Sequence, residues 1–383
     1  MKKSLSFLSL LLLSSEVFAQ KEIQKRIQTQ FIMAEDGSTI TLDEGSFTFT
    51  GSLSMEGKKN IIIKGKGKDK TILSFKGQTE GAEGIRISNA ENITLEDLTV
   101  QDSKGDAVKT MNVMGITFRN VRTEWTGEPK AENGAYGLYP VQCEKILIEG
   151  CEAIGASDAG IYVGQSKDII VRKSRAYHNV AGIEIENSLN AEVYENEATE
   201  NTGGILVFDL PDLILKKGGN TKVYKNNIHH NNLLNFAPNG NIVARVPDGT
   251  GILILAANHV DIFDNQIINN KSMGVGIISY FTTENKIKDQ SYYPYSEAIS
   301  IHDNVFEREK VKATGKGRFG QIYKYKLRFG KNVPHILWDG IVDAKNPNPV
   351  FCIKNNKNES FANMDVEHNF KHVSRDVSNY LCK

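Results

Sequence analysis

The chain is poor in the residues that mark most enzymes and most compact cores. Its 383 residues include four cysteines, two tryptophans, nine prolines and no Cys-x-x-Cys pair, which excludes a dithiol redox centre and a zinc ribbon. Its charges cancel, 46 Lys plus Arg against 46 Asp plus Glu. No global field therefore draws it to nucleic acid or to an anionic membrane. The eight histidines are scattered and only His229 and His230 adjoin, and neighbours in sequence diverge in space, so no zinc site is expected. The longest apolar run, residues 5–13, is too short to span a bilayer, and no other comes closer.

That one run follows Lys2 and Lys3 and precedes Val17-Phe18-Ala19. It reads as a signal peptide over residues 1–19, with a periplasmic or extracellular product. No cysteine follows it, which argues against a lipid anchor. Export permits disulfides, and four cysteines allow three pairings. Cys352 and Cys382 can staple the C-terminal segment. Cys143 and Cys151 flank one extended strand, residues 145–149, which holds them apart and predicts buried free thiols.

What the chain does have is a 22-residue repeat. Gly160-Ile161-Tyr162-Val163, Gly182-Ile183-Glu184-Ile185 and Gly204-Ile205-Leu206-Val207 fall at that interval. A second phase follows, Ile169-Ile170-Val171 and then Ala191-Glu192-Val193. Short alternating apolar runs bounded by Gly, Asn, Asp and Ser are strands, and such a period predicts one β-helix coil per repeat. The expectation is an all-β, single-stranded right-handed parallel β-helix (a solenoid) over residues 60–306, with an N-terminal cap over 20–59 and a C-terminal extension over 307–383.

Three columns fix the register. Ile93, Ile116, Ile146, Ile169, Ala191, Thr221, Val260 and Ile299 should stack as one inward position. Leu98, Val121, Cys151, Ser174, Asn196, Asn226, Asn265 and Asn304 should form a second, ending in an Asn ladder whose members bond along the stack and take left-handed turn conformations. Glu96, Arg119, Glu149, Arg172, Tyr194, Tyr224 and Phe263 should form an outward column of paired charges and stacked rings. The repeated glycines read as turn punctuation opening each coil. Spacings longer than the period leave insertions at residues 125–136, 209–219 and 236–249, which project from one face, where binding surfaces are built.

The repeats at 158–166, 182–188 and 203–211 resemble a family of exported bacterial parallel β-helix repeat proteins of unassigned activity. That family lies within the pectin-lyase-like superfamily, in its carbohydrate-binding and sugar-hydrolase branch. The resemblance implies a groove along one sheet for acidic polysaccharide, and lyase, epimerase or hydrolase chemistry. The superfamily's enzyme motifs are mostly missing: Trp-Ile-Asp-His, the Asn-Thr-Asp, Asp-Asp and Gly-His-Gly set, and Asp-Pro-His are absent, and Arg-x-Pro-x-x-Arg survives only as Arg245-Val246-Pro247.

Candidate chemistry sits on the three clear repeats. Registered at the glycine, Tyr162, Glu184 and Leu206 share one outward column and Gly164, Glu186 and Phe208 the next. Glu184 and Glu186 face the same way, about 7 Å apart along the strand. They are candidates for a general acid and base on a glycosidic bond, or for ligands of a Ca²⁺ ion. Lyase or epimerase chemistry needs a base, a charge neutraliser and a proton donor; Tyr162 and Arg245 are the available types, with His178 more distant. Asp158 and Asp209 flank the same coils as substrate-binding candidates. The plain reading makes all of these solvated strand residues.

Residues 310–331 hold eight Lys or Arg and no acid. The alternation Tyr323-Lys324-Tyr325-Lys326 predicts a strand with rings on one face and cations on the other. Lys324, Lys326 and Arg328 are candidate contacts to an anionic glycan; the other reading is a lysine-guarded edge. The sequence thus points to a monomeric exported protein whose partner is a polysaccharide, neither nucleic-acid-binding nor membrane-spanning, and catalytic or else a glycan-binding envelope scaffold.

Overall fold

Each full coil lays down three strands, and the coil at 159–177 shows why. Ala159–Gly164, Lys167–Arg172 and Arg175–Tyr177 are separated by short bends. Each pairs in parallel with its counterpart one coil on, Ala181–Glu186, Leu189–Tyr194 and Glu197–Thr199. The result is a parallel β-helix with three sheets along its length. The first sheet contains the Gly-Ile repeat, the second the Ile169 phase, and the third the short strands. A computed structural model describes residues 20–313, 318–346 and 351–382 of the chain; the expected signal peptide lies outside the described residues. Pairing begins at Thr39 and continues to Asn363, a wider span than residues 60–306.

The inward column stacks as the spacing requires, Ile93 on Ile116, Ile146, Ile169, Ala191, Thr221, Val260 and Ile299, and one coil further to Phe351. The outward column alternates charge. Arg119 sits between Glu96 and Glu149, and Arg172 reaches Glu149 at 2.6 Å and the Tyr194 hydroxyl at 3.0 Å. Tyr194, Tyr224, Phe263 and His302 then stack ring on ring.

The Asn ladder forms. Asn226 donates from its backbone N–H and its Nδ2 to Asn265 Oδ1, both at 3.0 Å, and from Nδ2 to the Val193 carbonyl. The same pattern repeats from Asn196 to Asn304 and ends at Asn356. The left-handed residue of each bend is the one before the ladder member, among them Glu195, Lys225, Asp264 and Asp303. The ladder asparagines therefore contribute amide bonding rather than turn geometry. A second ladder five residues on, Asn179, Asn201, Asn231 and Asn270, was not anticipated.

The repeated glycines are not turn punctuation. They lie inside the first-sheet strands, where neighbouring coils approach too closely for a side chain. A Cβ at Gly204 would stand 2.6 Å from the Gly251 carbonyl oxygen and 2.9 Å from Asn231 Nδ2. Gly182 meets Gly204 and Asn201 in the same way. The second ladder thus runs against this glycine column.

Both ends are covered. Residues 20–33 form a helix whose Ile27 and Phe31 are buried on the first coil. At the other end Trp338, Phe351, Phe361 and Tyr380 pack together, and the Cys352–Cys382 disulfide ties down the tail. Cys143 and Cys151 are buried free thiols. Residues 323–326 are not a strand: Arg318–Gln321 and Ile322–Leu327 are helical turns. Burial of Tyr323 and Leu327, four residues apart on one helical face, overrides the local alternation.

Candidate active site on the first sheet

The outer face of the first sheet changes character coil by coil. One outward column starts with Arg86 and Lys109, continues through Tyr139 and Tyr162 to Glu184, and then turns apolar at Leu206, Leu253 and Leu337. Arg86 is exposed, and Lys109, Tyr136 and Tyr139 are half-buried. From Tyr162 onward the face is covered. The insertions that follow the first and third strands of later coils fold over it and form a second apolar cluster outside the helix.

Glu184 and Glu186 do point outward, as the repeat requires, yet they are not solvated. Glu184 is 1% exposed, Glu186 7% and the neighbouring Asp158 5%. Tyr162 donates its hydroxyl to Glu186 Oε1 at 2.7 Å. Gly164 makes room for that ring, since a Cβ there would stand 2.4 Å from the Tyr162 hydroxyl. Asp158 Oδ2 accepts from Asn241 Nδ2 at 3.1 Å and from the Tyr136 hydroxyl at 3.4 Å. Glu184 Oε2 is buried with no partner.

Burial with so few donors sets the protonation. Desolvation, and then the charge of Glu186, pushes Asp158 up to about 7. Desolvation pushes Glu186 up to about 7 against the bond from Tyr162. Glu184 rises well above the usual carboxyl range, first from burial and then from Asp158 and Glu186. Asp209, at the edge of the group, also rises to about 7 through burial, although the Gly218 N–H donates to both its oxygens. The cluster is acidic, nearly dry and partly protonated at neutral pH.

The other candidates lie elsewhere. Arg245 donates to Asn285 Oδ1 at 2.8 Å and lines a separate cavity, so the base-and-neutraliser pair with Tyr162 is not assembled. His178 pairs with Glu200 on an exposed bend. Lys324, Lys326 and Arg328 lie on the helical segment, with Lys326 on that cavity and its Nζ donating to Asn369 Oδ1. Sequence reasoning missed Tyr136, Tyr139 and Asn241. Tyr139 carried a signal, since it stands one coil before Tyr162; Asn241, in an insertion, carried none.

Asp158, Glu184 and Glu186 do not bring three ligand atoms within 4.8 Å of one another, so these carboxyls alone form no compact Ca²⁺ cage. Among the described residues one group meets that condition, Asp365, His368 and His372. There the Asp365 carboxylate accepts from both imidazoles, at 2.7 and 3.1 Å.

A family model described as the right-handed β-helix region matches residues 60–214 and 130–306. Among solved structures the chain is similar to two Azotobacter vinelandii mannuronan C-5 epimerase A-modules. For AlgE6 the identity is 16%, with 87% of this chain and 90% of that chain covered at a TM-score of 0.54. For AlgE4 the identity is 14%, with 84% and 86% covered at a TM-score of 0.52. Likeness at these identities concerns the fold. No curated protein matches the sequence. With its coils paired in parallel along the matched span, the chain belongs to the right-handed β-helix family.

Proposed function

We propose that this protein is exported as a monomer to the periplasm or beyond, and that it acts on an acidic polysaccharide at the Asp158–Glu186 cluster. The observation that carries the reading is a pair of carboxyls, both pushed up to about 7, beside Tyr162 at the end of a cation-and-aromatic column. Arg86 and Lys109 supply charge for uronate groups along the open coils, and Tyr136 and Tyr139 supply faces for sugar rings. Near neutral pH such a coupled pair holds about one proton between its members. One member then donates to a leaving glycosidic oxygen while the other, ionised, assists water or the sugar. Arg245 stands apart from Tyr162, which favours acid–base cleavage over β-elimination. The likeness to mannuronan epimerase modules supports an acidic polysaccharide as ligand.

A panel of uronate-containing polysaccharides tests the proposal, with new reducing ends and the absorbance of unsaturated ends both followed. Asp158→Asn and Glu186→Gln should each abolish product formation while leaving the protein folded. Saturable binding without product would favour the second reading, a glycan-binding scaffold, which the near-complete burial of Glu184 supports. Neither product nor binding across the panel would sink both. Among the described residues no helix is long and apolar enough to cross a membrane.

A further inference from the structure

Beyond the acid cluster the outer face of the first sheet becomes an apolar floor beneath the insertions. Phe208, Leu253, Leu255, Met273, Ile278 and Leu337 all lie on its outer face. Above them the 242–248 turn, the helical segment at 319–326 and the loop at 364–370 form a roof that is itself apolar where it faces the floor, with Ile242, Val246, Phe319, Ile322, Val366 and Phe370. Floor and roof belong to one apolar cluster but do not fill the space between them. Between them lies a cavity of about 1020 Å³, whereas a packed interior leaves few voids larger than a water molecule. Its volume is at the upper end of the roughly 300–1,000 Å³ range of small-molecule sites.

The charges around this cavity are unevenly committed. Arg245 on one wall and Lys326 on the other hydrogen-bond only neutral amide oxygens, of Asn285 and Asn369. Neither has a carboxylate partner among the described residues, and both are exposed. The lining also holds two acids, Asp248 and Glu284. Asp248 is buried and its Oδ2 has no hydrogen-bond partner, and Glu284 is engaged in a contact of its own. Lys324 and Arg328, on the same turn as Lys326, add to the positive field.

We propose that the cavity is a binding site for a single-chain anionic amphiphile, its hydrocarbon tail between floor and roof and its carboxylate head between Arg245 and Lys326. The site is separate from the carboxyl cluster and stands or falls without it. Tail burial supplies most of the affinity, because it removes apolar surface of both partners from water. The two cations supply head selectivity and salt dependence. The segment 319–326 thereby has a function that its sequence alternation disguised: its rings build a wall and its lysine meets a ligand.

Calorimetric titration of the full chain with dodecanoate and with dodecyltrimethylammonium, each below its micelle concentration, tests the site. Dodecanoate should bind saturably at one site and at least tenfold tighter than the cationic chain, and more weakly as salt rises. Arg245→Gln together with Lys326→Gln, both at exposed positions, should erase that preference and the salt dependence. Ile278→Trp, which fills the cavity from a half-buried position, should abolish binding of both chains. If the tryptophan variant fails to fold, the surface double variant still decides. Equal affinity for the two chains, or a preference indifferent to the double substitution, would refute the anionic head. Lack of saturable dodecanoate binding by the folded protein would remove the site.

Discussion

Replacing Glu186 by Gln should stabilise this protein, and should do so only on the alkaline side. The side chain is 7% exposed, and burial lifts its carboxyl from 4.5 to about 7. A carboxyl whose folded pKa is raised binds its proton more tightly in the native state than in the unfolded chain. Its favourable contribution is complete below the unfolded value, near 4.5, and is lost as pH rises through about 7. At about 1.4 kcal/mol per pH unit, the ionised form at pH 8.5 costs roughly 3 kcal/mol. Gln keeps an oxygen to accept from Tyr162 and cannot ionise, so it escapes that cost. Asp158, whose pKa Glu186 helps to raise, should ionise at lower pH in the variant. Thermal melts of both proteins from pH 4.5 to 8.5 give the measurement. The curves should nearly coincide at the acid end, and the variant should melt several degrees higher at the alkaline end. A constant offset across the range, or a variant that loses ground as pH rises, would show that Glu186 is not a buried acid in the sense argued here.

Asn226→Ala should cost roughly 1–3 kcal/mol in denaturant melts, because it strands the amide groups of Asn196 and the carbonyl of Val193; an unchanged midpoint would contradict a bonded ladder. Gly204→Ala should lower the melting temperature more than Gly57→Ala, where a Cβ meets nothing within 4 Å and the cost is only that of the left-handed backbone at φ 68°. Reduction of Cys352–Cys382 should destabilise by roughly 3–4 kcal/mol on the loop-entropy account of a 30-residue separation, with hydrogen exchange rising first in the strand Phe351–Lys354 rather than in the middle coils.

The stack was legible in the sequence because its constraints repeat. An inward apolar residue, a bend and a ladder amide recur at fixed offsets, so a one-residue slip would have broken three columns at once. The second ladder was legible too: Asn179, Asn201, Asn231 and Asn270 follow the first ladder's spacings of 22, 30 and 39 residues five positions later. The role of the glycines was not, since a clash with a carbonyl one coil away has no local signature. The site was half legible. Tyr162, Glu184, Glu186 and Asp158 come together because the repeat registers them, but whether an outward residue is wet depends on where insertions fold. Leu206, Phe208, Leu253 and Leu255 hinted at a cover, being outward positions with no polar residue. The helical segment at 318–327 was misjudged because two alternating pairs weigh less than the burial of Tyr323 and Leu327.

The ladder bonds also separate the coil from its ornament. From Ser174 to Asn196 the chain takes 22 residues to climb one coil, from Asn196 to Asn226 it takes 30, from Asn226 to Asn265 39, and from Asn304 to Asn356 52. The backbone-to-amide bond at each step is nevertheless 3.0 Å. A tube whose steps ignore the length of what is threaded between them is indifferent to its loops. Its roof can be lengthened, shortened or exchanged by deletion within 209–218 or 232–248 while the steps beneath stay in register. Chemistry in this molecule is therefore free to change faster than shape, and a chimaera carrying another protein's insertions on these coils would inherit this chain's register together with the donor's specificity.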